Sequence, residues 1–251
     1  MRRCVAFCGA VMTLALIGSK AQAQEAMAPG TSFARAGTLA VGAERMFGYV
    51  HTTLKTQSEQ PPSDTERTIT LNRFSLLGRP SYSTQFQSPY STPRIGIDFF
   101  PIDGLSFGGS ITYVSESGEA EVETPAGSQS QDLDPASGFL ISPRVGYGIM
   151  FSDIFGIWPR AGVTYFTASS ENRNDAGQTT SESNVNGLAL TVEVPLILSP
   201  IDHVGFTIGP TLDIPLSGSS EVDPTDPADQ TTESDVKFTD IGVNAGLLVW
   251  F

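Results

Sequence analysis

The sequence predicts an all-β chain folded as a closed, antiparallel, up-and-down transmembrane β-barrel of eight strands, with ten as the alternative count. Three observations carry this. Short stretches of period-2 alternation rich in Gly, Thr, Tyr, Phe, Val and Ile recur along the chain, and helix-period patterns are scarce. Three tight turns carrying Asp103, Asp153 and Asp202 recur at spacings of 50 and 49 residues, each joining two alternating stretches, while long polar segments join their other ends. Within each stretch one set of side chains is apolar and the other is Gly, Ser and Thr with a few charges, whereas a soluble sandwich carries a charged outward set. Prolines 143, 159, 195 and 210 lie inside these stretches and would sit badly in a central soluble sheet.

The chain opens with Met1-Arg2-Arg3, an apolar run over residues 5–17 and then Ala21-Gln22-Ala23. This order describes a secretory signal peptide cut after Ala23. The run falls short of the roughly 20 residues a membrane-spanning helix needs. Cys4 and Cys8 both lie inside the signal, so residues 24–251 hold no disulfide, thiolate metal site or thiol redox centre. Removing Arg2, Arg3 and Lys20 leaves 11 basic against 27 acidic residues, a formal charge of −16. Such a balance argues against nucleic acid as a partner.

Residues 24–36 are Ala-, Gly- and Ser-rich and read as a flexible periplasmic lead-in; the barrel occupies 37–251. Its strands are expected at 38–52, 92–101, 104–115, 139–151, 154–167, 185–198, 202–215 and 238–251. These suit the about 9–11 residues that a tilted strand needs to span. Polar loops are expected at 115–138, 169–184 and 217–236. Residues 53–91 must begin and end on the outer side. Their strand-like portion, 68–77, is either an extension above the membrane or one of two extra strands.

With the apolar set facing lipid, the inward charges are Glu44, Arg94, Asp98, Arg144, Arg160, Glu193, Asp213 and Asp240. Arg144, Arg160 and Glu193 each stand seven residues from a tight turn. At ~3.3 Å per residue and a tilt near 40°, that places them at one level roughly 18 Å up, inside a membrane band of about 25 Å. A paired cluster is expected, because an unpaired charge there is costly. A salt-bridged plug fits an eight-stranded barrel, whose lumen is just wide enough for side chains to fill; the alternative is an ion constriction. Glu44 and Arg45 are adjacent, so strict alternation would put one in lipid, and either a β-bulge or an Arg45 reaching a headgroup is predicted. Trp158 and Trp250 fall on inward registers and are expected to close the lower end. Tyr49, Tyr113, Tyr147 and Tyr165 fit an aromatic girdle.

The closing stretch is apolar at every second residue back from Phe251 through Val249, Leu247, Ala245, Val243 and Ile241. It resembles the last strand of bacterial outer-membrane β-barrels. With the signal peptide and the hairpin rhythm, the chain resembles the small OmpA-, OmpX- and OmpW-type barrels. The resemblance implies an outer-membrane location and a monomer held in outer-membrane lipid. It also implies recognition of Phe251, Val249 and Leu247 by the barrel-assembly machinery, and in OmpA-type members an interior Arg/Lys–Glu network. It does not specify a ligand.

No catalytic chemistry is expected. The two histidines, His51 and His203, have no G-x-S-x-G partner motif, and no Gly-rich phosphate loop precedes a helix. Clustered acids such as Glu116, Glu119, Glu121 and Glu123 lack the glycine spacing of an EF-hand and read as solvated loops. No cofactor or metal is expected. The expected role is structural or surface-interacting, with a narrow channel for ions or small apolar solutes as the alternative.

Overall fold

The computed structural model describes residues 33–60, 63–76, 88–124, 127–173, 178–226 and 230–251. The expected signal peptide and most of the lead-in lie outside them. The described strands are β1 (Leu39–Gln60), β2 (Ser63–Leu76), β3 (Arg94–Phe99), β4 (Leu105–Thr124), β5 (Gly127–Tyr147), β6 (Ile149–Met150), β7 (Phe155–Ile157), β8 (Arg160–Arg173), β9 (Thr179–Glu193), β10 (Leu196–Ile201), β11 (Val204–Pro224) and β12 (Thr232–Trp250). All pairings are antiparallel, and β12 pairs with both β11 and β1, so the sheet closes on itself.

Among the described residues the wall has eight strands. β6 continues β5, β7 leads into β8 and β10 continues β9 at the lower end, where the ladder runs on through β6–β7, β7–β10 and β10–β11. The interruptions fall at Gly148, Trp158–Pro159 and Val194–Pro195. Each proline lacks a donor but keeps its acceptor: Tyr147 N–H donates to Pro159 O, Trp158 N–H to Pro195 O and Val194 N–H to Pro210 O. The prolines therefore subtract single bonds without opening the wall.

The second wall position is split. β2 pairs with the upper part of β1, from Phe47↔Leu76 to Gln60↔Ser63, and β3 pairs with its lower part, from Leu39↔Phe99 to Glu44↔Arg94. The strand-like stretch within 53–91 is thus an extension on β1 and adds no ninth or tenth wall strand. β3 pairs with β4 only up to Ile95↔Ile111. Pro93 has no N–H to continue that ladder, and Thr112 Oγ1 donates to its carbonyl at 2.7 Å instead. Above this point, among the described residues, β2 and β4 do not pair with each other.

Two expectations need correction. The long polar segments are largely not loops: β4 and β5 stay paired from Leu105↔Tyr147 out to Thr124↔Gly127, β8 and β9 to Arg173↔Thr179, and β11 and β12 to Val222↔Thr232. A hairpin already in register gains a ladder bond with each added residue, and polar β-formers such as Thr, Ser and Glu suit an arm wet on both faces. The last four residues of the lead-in are also fixed. Gly37 N–H donates to Phe100 O and Gly104 N–H to Ala34 O, both at 2.7 Å, and Asp103 accepts from Ala36 N–H. Positive φ at Ala34, Gly37 and Gly104 folds this segment under the barrel.

Burial is inverted relative to a soluble protein. Ile95, Ile97, Phe107, Ile111, Ile141, Val145, Phe206, Ile208, Ile241 and Val243 are exposed on the outer face, while Glu44, Arg94, Asp98, Arg144, Arg160, Glu193, Asp213 and Asp240 are buried inside. A soluble sheet would expose the second set and bury the first.

Candidate functional site

The interior is filled in three layers. The lowest is aromatic. Phe33 is 2% exposed and meets Phe100, Trp158 and Trp250 edge-on, each with ring centroids 5.3 Å apart. Ala40, Ile197 and Leu248 complete this layer. Trp158 and Trp250 close the lower mouth from the wall, and Phe33 fills the space between them. Trp158 Nε1 donates to Ser106 Oγ at 3.0 Å, and the Arg160 guanidinium lies 4.5 Å from the Trp158 ring centre, joining this layer to the next.

The middle layer is ionic. Arg144 donates to both oxygens of Glu44 (2.7 and 2.6 Å) and of Asp98 (3.1 and 2.5 Å). Arg160 bridges Glu44 Oε1 at 2.6 Å and Glu193 Oε2 at 2.8 Å. Arg45 donates to Glu193 Oε1 from Nε and Nη2 and to Asp213 from Nη1 and Nη2. Each guanidinium fork therefore serves two carboxylates, a geometry lysine cannot reproduce. A hydroxyl chain, Ser142–Thr164–Thr191, ends with Thr191 donating to Asp213 Oδ1 at 2.6 Å. Gly96 makes room for the network: a Cβ there would lie 2.6 Å from Glu44 Oε1 and 2.7 Å from Arg144 Nη2.

Arg144, Arg160 and Glu193, placed at one level from their distance to the turns, meet through Glu44 and one another. Glu44, Asp98 and Asp213 join the same network. Arg94 and Asp240 are buried but form no ion pair among the described residues; Arg94 Nη2 donates to Tyr90 O at 2.6 Å, and Asp240 sits across the ladder from Thr52 and Asp213. Arg45 is the member that strict alternation leaves out. The ladder slips between Ala43 and Phe47, and Arg45 takes a positive φ of 54°. Of the two outcomes predicted for the Glu44-Arg45 pair, the structure has the bulge, which turns both side chains inward; Arg45 reaches no headgroup level.

The upper layer is apolar. Leu54, Tyr90, Leu140, Phe166, Ala189, Val236 and Phe238 pack together, with Ile69 and Val185 against them. Tyr90 belongs to no wall strand. It rides on a 3-10 turn, Pro89–Ser91, that projects into the lumen, with its ring edge-on to Phe166 at 5.3 Å. Its carbonyl accepts from both Arg45 and Arg94. The local sequence explains the turn: Ser88 caps Tyr90 N–H, Pro89 opens the turn with its fixed φ, and Thr92-Pro93 ends it. This Ser-Pro-Tyr-Ser-Thr-Pro signature was the available signal for the inner turn, and periodicity does not see it.

Above the filled layers an open polar pocket of about 250 Å³ is lined by residues including Ser115, Glu116, Ser137, Ser170, Glu182 and Asn184. Beside the ionic layer, between Arg160, Glu193, Pro195, Thr211 and Asn244, the void is about 20 Å³, room for about one water. On the outer face Tyr147 lies at the turn end, while Tyr49, Tyr113 and Tyr165 lie near the other rim; all four are exposed. Leu247, Val249 and Phe251 line the outward side of the closing strand. His51 Nδ1 shares Asn72 Oδ1 with Tyr49 OH, and His203 Nδ1 contacts Trp250 O, so neither histidine faces a serine in these contacts. Glu119, Glu121 and Glu123 carry side chains outside the described set; no group of three or more metal-ligating side chains gathers among the described residues.

No protein-family model matches the chain, and no curated protein matches it. Among solved structures it is similar to the outer membrane protein OprG from Pseudomonas aeruginosa, at 12% identity over 86% of this chain and 97% of that one, with a TM-score of 0.49. It is also similar to Neisserial surface protein A, at 12% identity over 85% and 97% with a TM-score of 0.38. A third is Ail, the attachment invasion locus protein of Yersinia pestis, at 11% identity over 85% and 99% with a TM-score of 0.34. The closed eight-stranded ladder stands on the chain's own pairing.

Proposed function

We propose that this chain is an integral, non-enzymatic barrel of a bacterial outer membrane, closed to ion flow along its axis, with a structural and surface-interaction role. The single observation that carries it is the combination of an exposed apolar belt outside with three successive filled layers inside. The belt needs a hydrocarbon surround, since its removal from water is the term that would stabilise the inserted state. An ion moving along the axis would have to displace Phe33, separate guanidinium–carboxylate pairs and cross the apolar layer in turn. Under this reading the expected signal peptide delivers the chain, and the closing strand engages the assembly machinery.

Planar-bilayer recording of the refolded protein tests this. The expected result is silence for the wild type and also for Arg160→Ala, because the aromatic layer still seals the lower mouth. Steady discrete openings of the wild type, altered by Arg160→Ala, would overturn the plug in favour of a constriction.

One observation favours a second reading, the passage of small apolar solutes. The wall is unpaired between β2 and upper β4 among the described residues, and the lumen at that height is lined by Leu54, Leu140, Phe166 and Phe238. A solute entering from outside would meet apolar walls and a sideways exit toward lipid, with no need to cross the ionic layer. Passage on this route requires the packed side chains of this layer to move aside, so wedging it with Ala189→Trp should block uptake of an apolar dye into vesicles holding the protein; unchanged uptake would dismiss the reading.

A further inference from the structure

Beyond residue 23 the chain has two lysines, Lys55 and Lys237. They are direct partners in the β1–β12 ladder, and both are exposed. Lys55 continues the outward series Tyr49, His51, Thr53, and Lys237 continues Val243, Ile241, Thr239. Direct partners have Cβ atoms about 5 Å apart, and like charges so placed repel. Among the described residues neither ammonium forms an ion pair or hydrogen bond, and the outward carboxylates of Glu66 and Asp235 stand one rung above, both partnered in the ladder to Gln57. Beyond residue 23, where 11 basic residues stand against 27 acidic ones, the two lysines are set side by side.

Their height fits the arrangement to a ligand class. Lys237 is four residues above Ile241, the last apolar residue of the outward series on β12, or about 10 Å at 3.3 Å per residue and a 40° tilt. Outward hydroxyls surround the pair: Thr53 and Thr239 are partners one rung below, and Thr68 is the β2 partner of Lys55. Above stand acids, with Asp235 paired to Gln57 and Glu233 paired to Glu221. A soluble anion approaching from outside would meet carboxylates first. An anion anchored in the membrane plane would meet the lysines first.

We propose that Lys55 and Lys237 together bind the phosphate of a phosphorylated glycolipid in the outer leaflet, which rests on the outer-membrane reading above. Lysine stems lie along the apolar belt while the ammonium groups reach the headgroup. The phosphate neutralises the opposed charges, and the threonine hydroxyls complete the contacts. Each lysine near a charged membrane surface contributes roughly fivefold to affinity, so the pair contributes about thirtyfold.

The test uses the refolded chain in a sugar-based, phosphate-free detergent, titrated with diphosphorylated lipid A, with its dephosphorylated form and with inorganic pyrophosphate. Wild type should bind the phosphorylated lipid about thirtyfold more tightly than K55Q/K237Q and about fivefold more tightly than either single variant. The difference should vanish for the dephosphorylated lipid. Both residues are exposed, so gel mobility of the folded variants should match wild type. Equal binding of phosphorylated lipid by wild type and K55Q/K237Q overturns the pair. Pyrophosphate binding as tight as the lipid's overturns the membrane source. Failure of wild type to insert into lipid vesicles instead sinks the outer-membrane reading, and with it the lipid as ligand.

Discussion

Arg144→Met should lower the unfolding free energy by about 3–5 kcal/mol, because it strands buried carboxylates. Arg144 is the sole guanidinium ion-paired to Asp98 among the described residues, and it shares Glu44 with Arg160. Without it Asp98, 2% exposed, faces a lumen too narrow to hydrate it well. Urea unfolding in vesicles, followed by the shift between folded and unfolded gel mobility, measures the loss. Adding Asp98→Asn should recover part of it, since the stranded charge and not the missing contact dominates. Arg144→Lys should recover less than full stability, because an ammonium cannot serve two carboxylates in a planar fork. A loss under about 1 kcal/mol, the value for a solvated surface pair, would mean that water fills the ionic layer.

Phe33→Ala should open the lower mouth and cost about 3–5 kcal/mol, as for other buried Phe truncations. Its optical signature is unusually clean. The chain has two tryptophans, and both rings lie 5.3 Å from Phe33. Wild-type emission should be blue-shifted and resist acrylamide. In Phe33→Ala it should move to longer wavelength and quench several-fold more readily, while Phe74→Ala, on the outer face, should leave it unchanged. Wild-type-like quenching in Phe33→Ala would show that Trp158 and Trp250 seal the mouth without the upstream segment.

What was legible in the sequence was whatever obeys a period. Alternation gives the face of each side chain, so Arg144, Arg160 and Glu193 could be set inward, and equal distances from three turns set them at one height. An even wall count followed because tight turns on one side force the chain's parity; the choice of eight over ten rested on residues 68–77, whose pairing along β1 has no periodic trace. Arg45 escaped because a bulge is the breaking of the period; the adjacent Glu44 and Arg45 signalled that something must give, not which way. Tyr90 escaped because a turn folded into a lumen has no periodic trace. Phe33 escaped because one aromatic in an Ala- and Gly-rich lead-in carries no pattern, and its pocket is assembled from residues 100, 158 and 250. The long arms read as loops because polarity is a poor guide to backbone pairing: the ladder is made by main-chain groups that every residue but proline supplies.

Those arms give the molecule a topography. From Tyr113↔Phe139 the β4–β5 hairpin runs eleven more residues to Thr124, and from Tyr49↔Phe74 the β1–β2 hairpin runs eleven to Gln60. At the same rise and tilt each stands about 28 Å above the tyrosine rim. Cross-linked along their length by backbone bonds, they behave as stakes and not as tethers. On the outer-membrane reading proposed above, a body the size of an antibody would be held off by these arms, while a solute a few ångströms across would pass between them to the filled layers below.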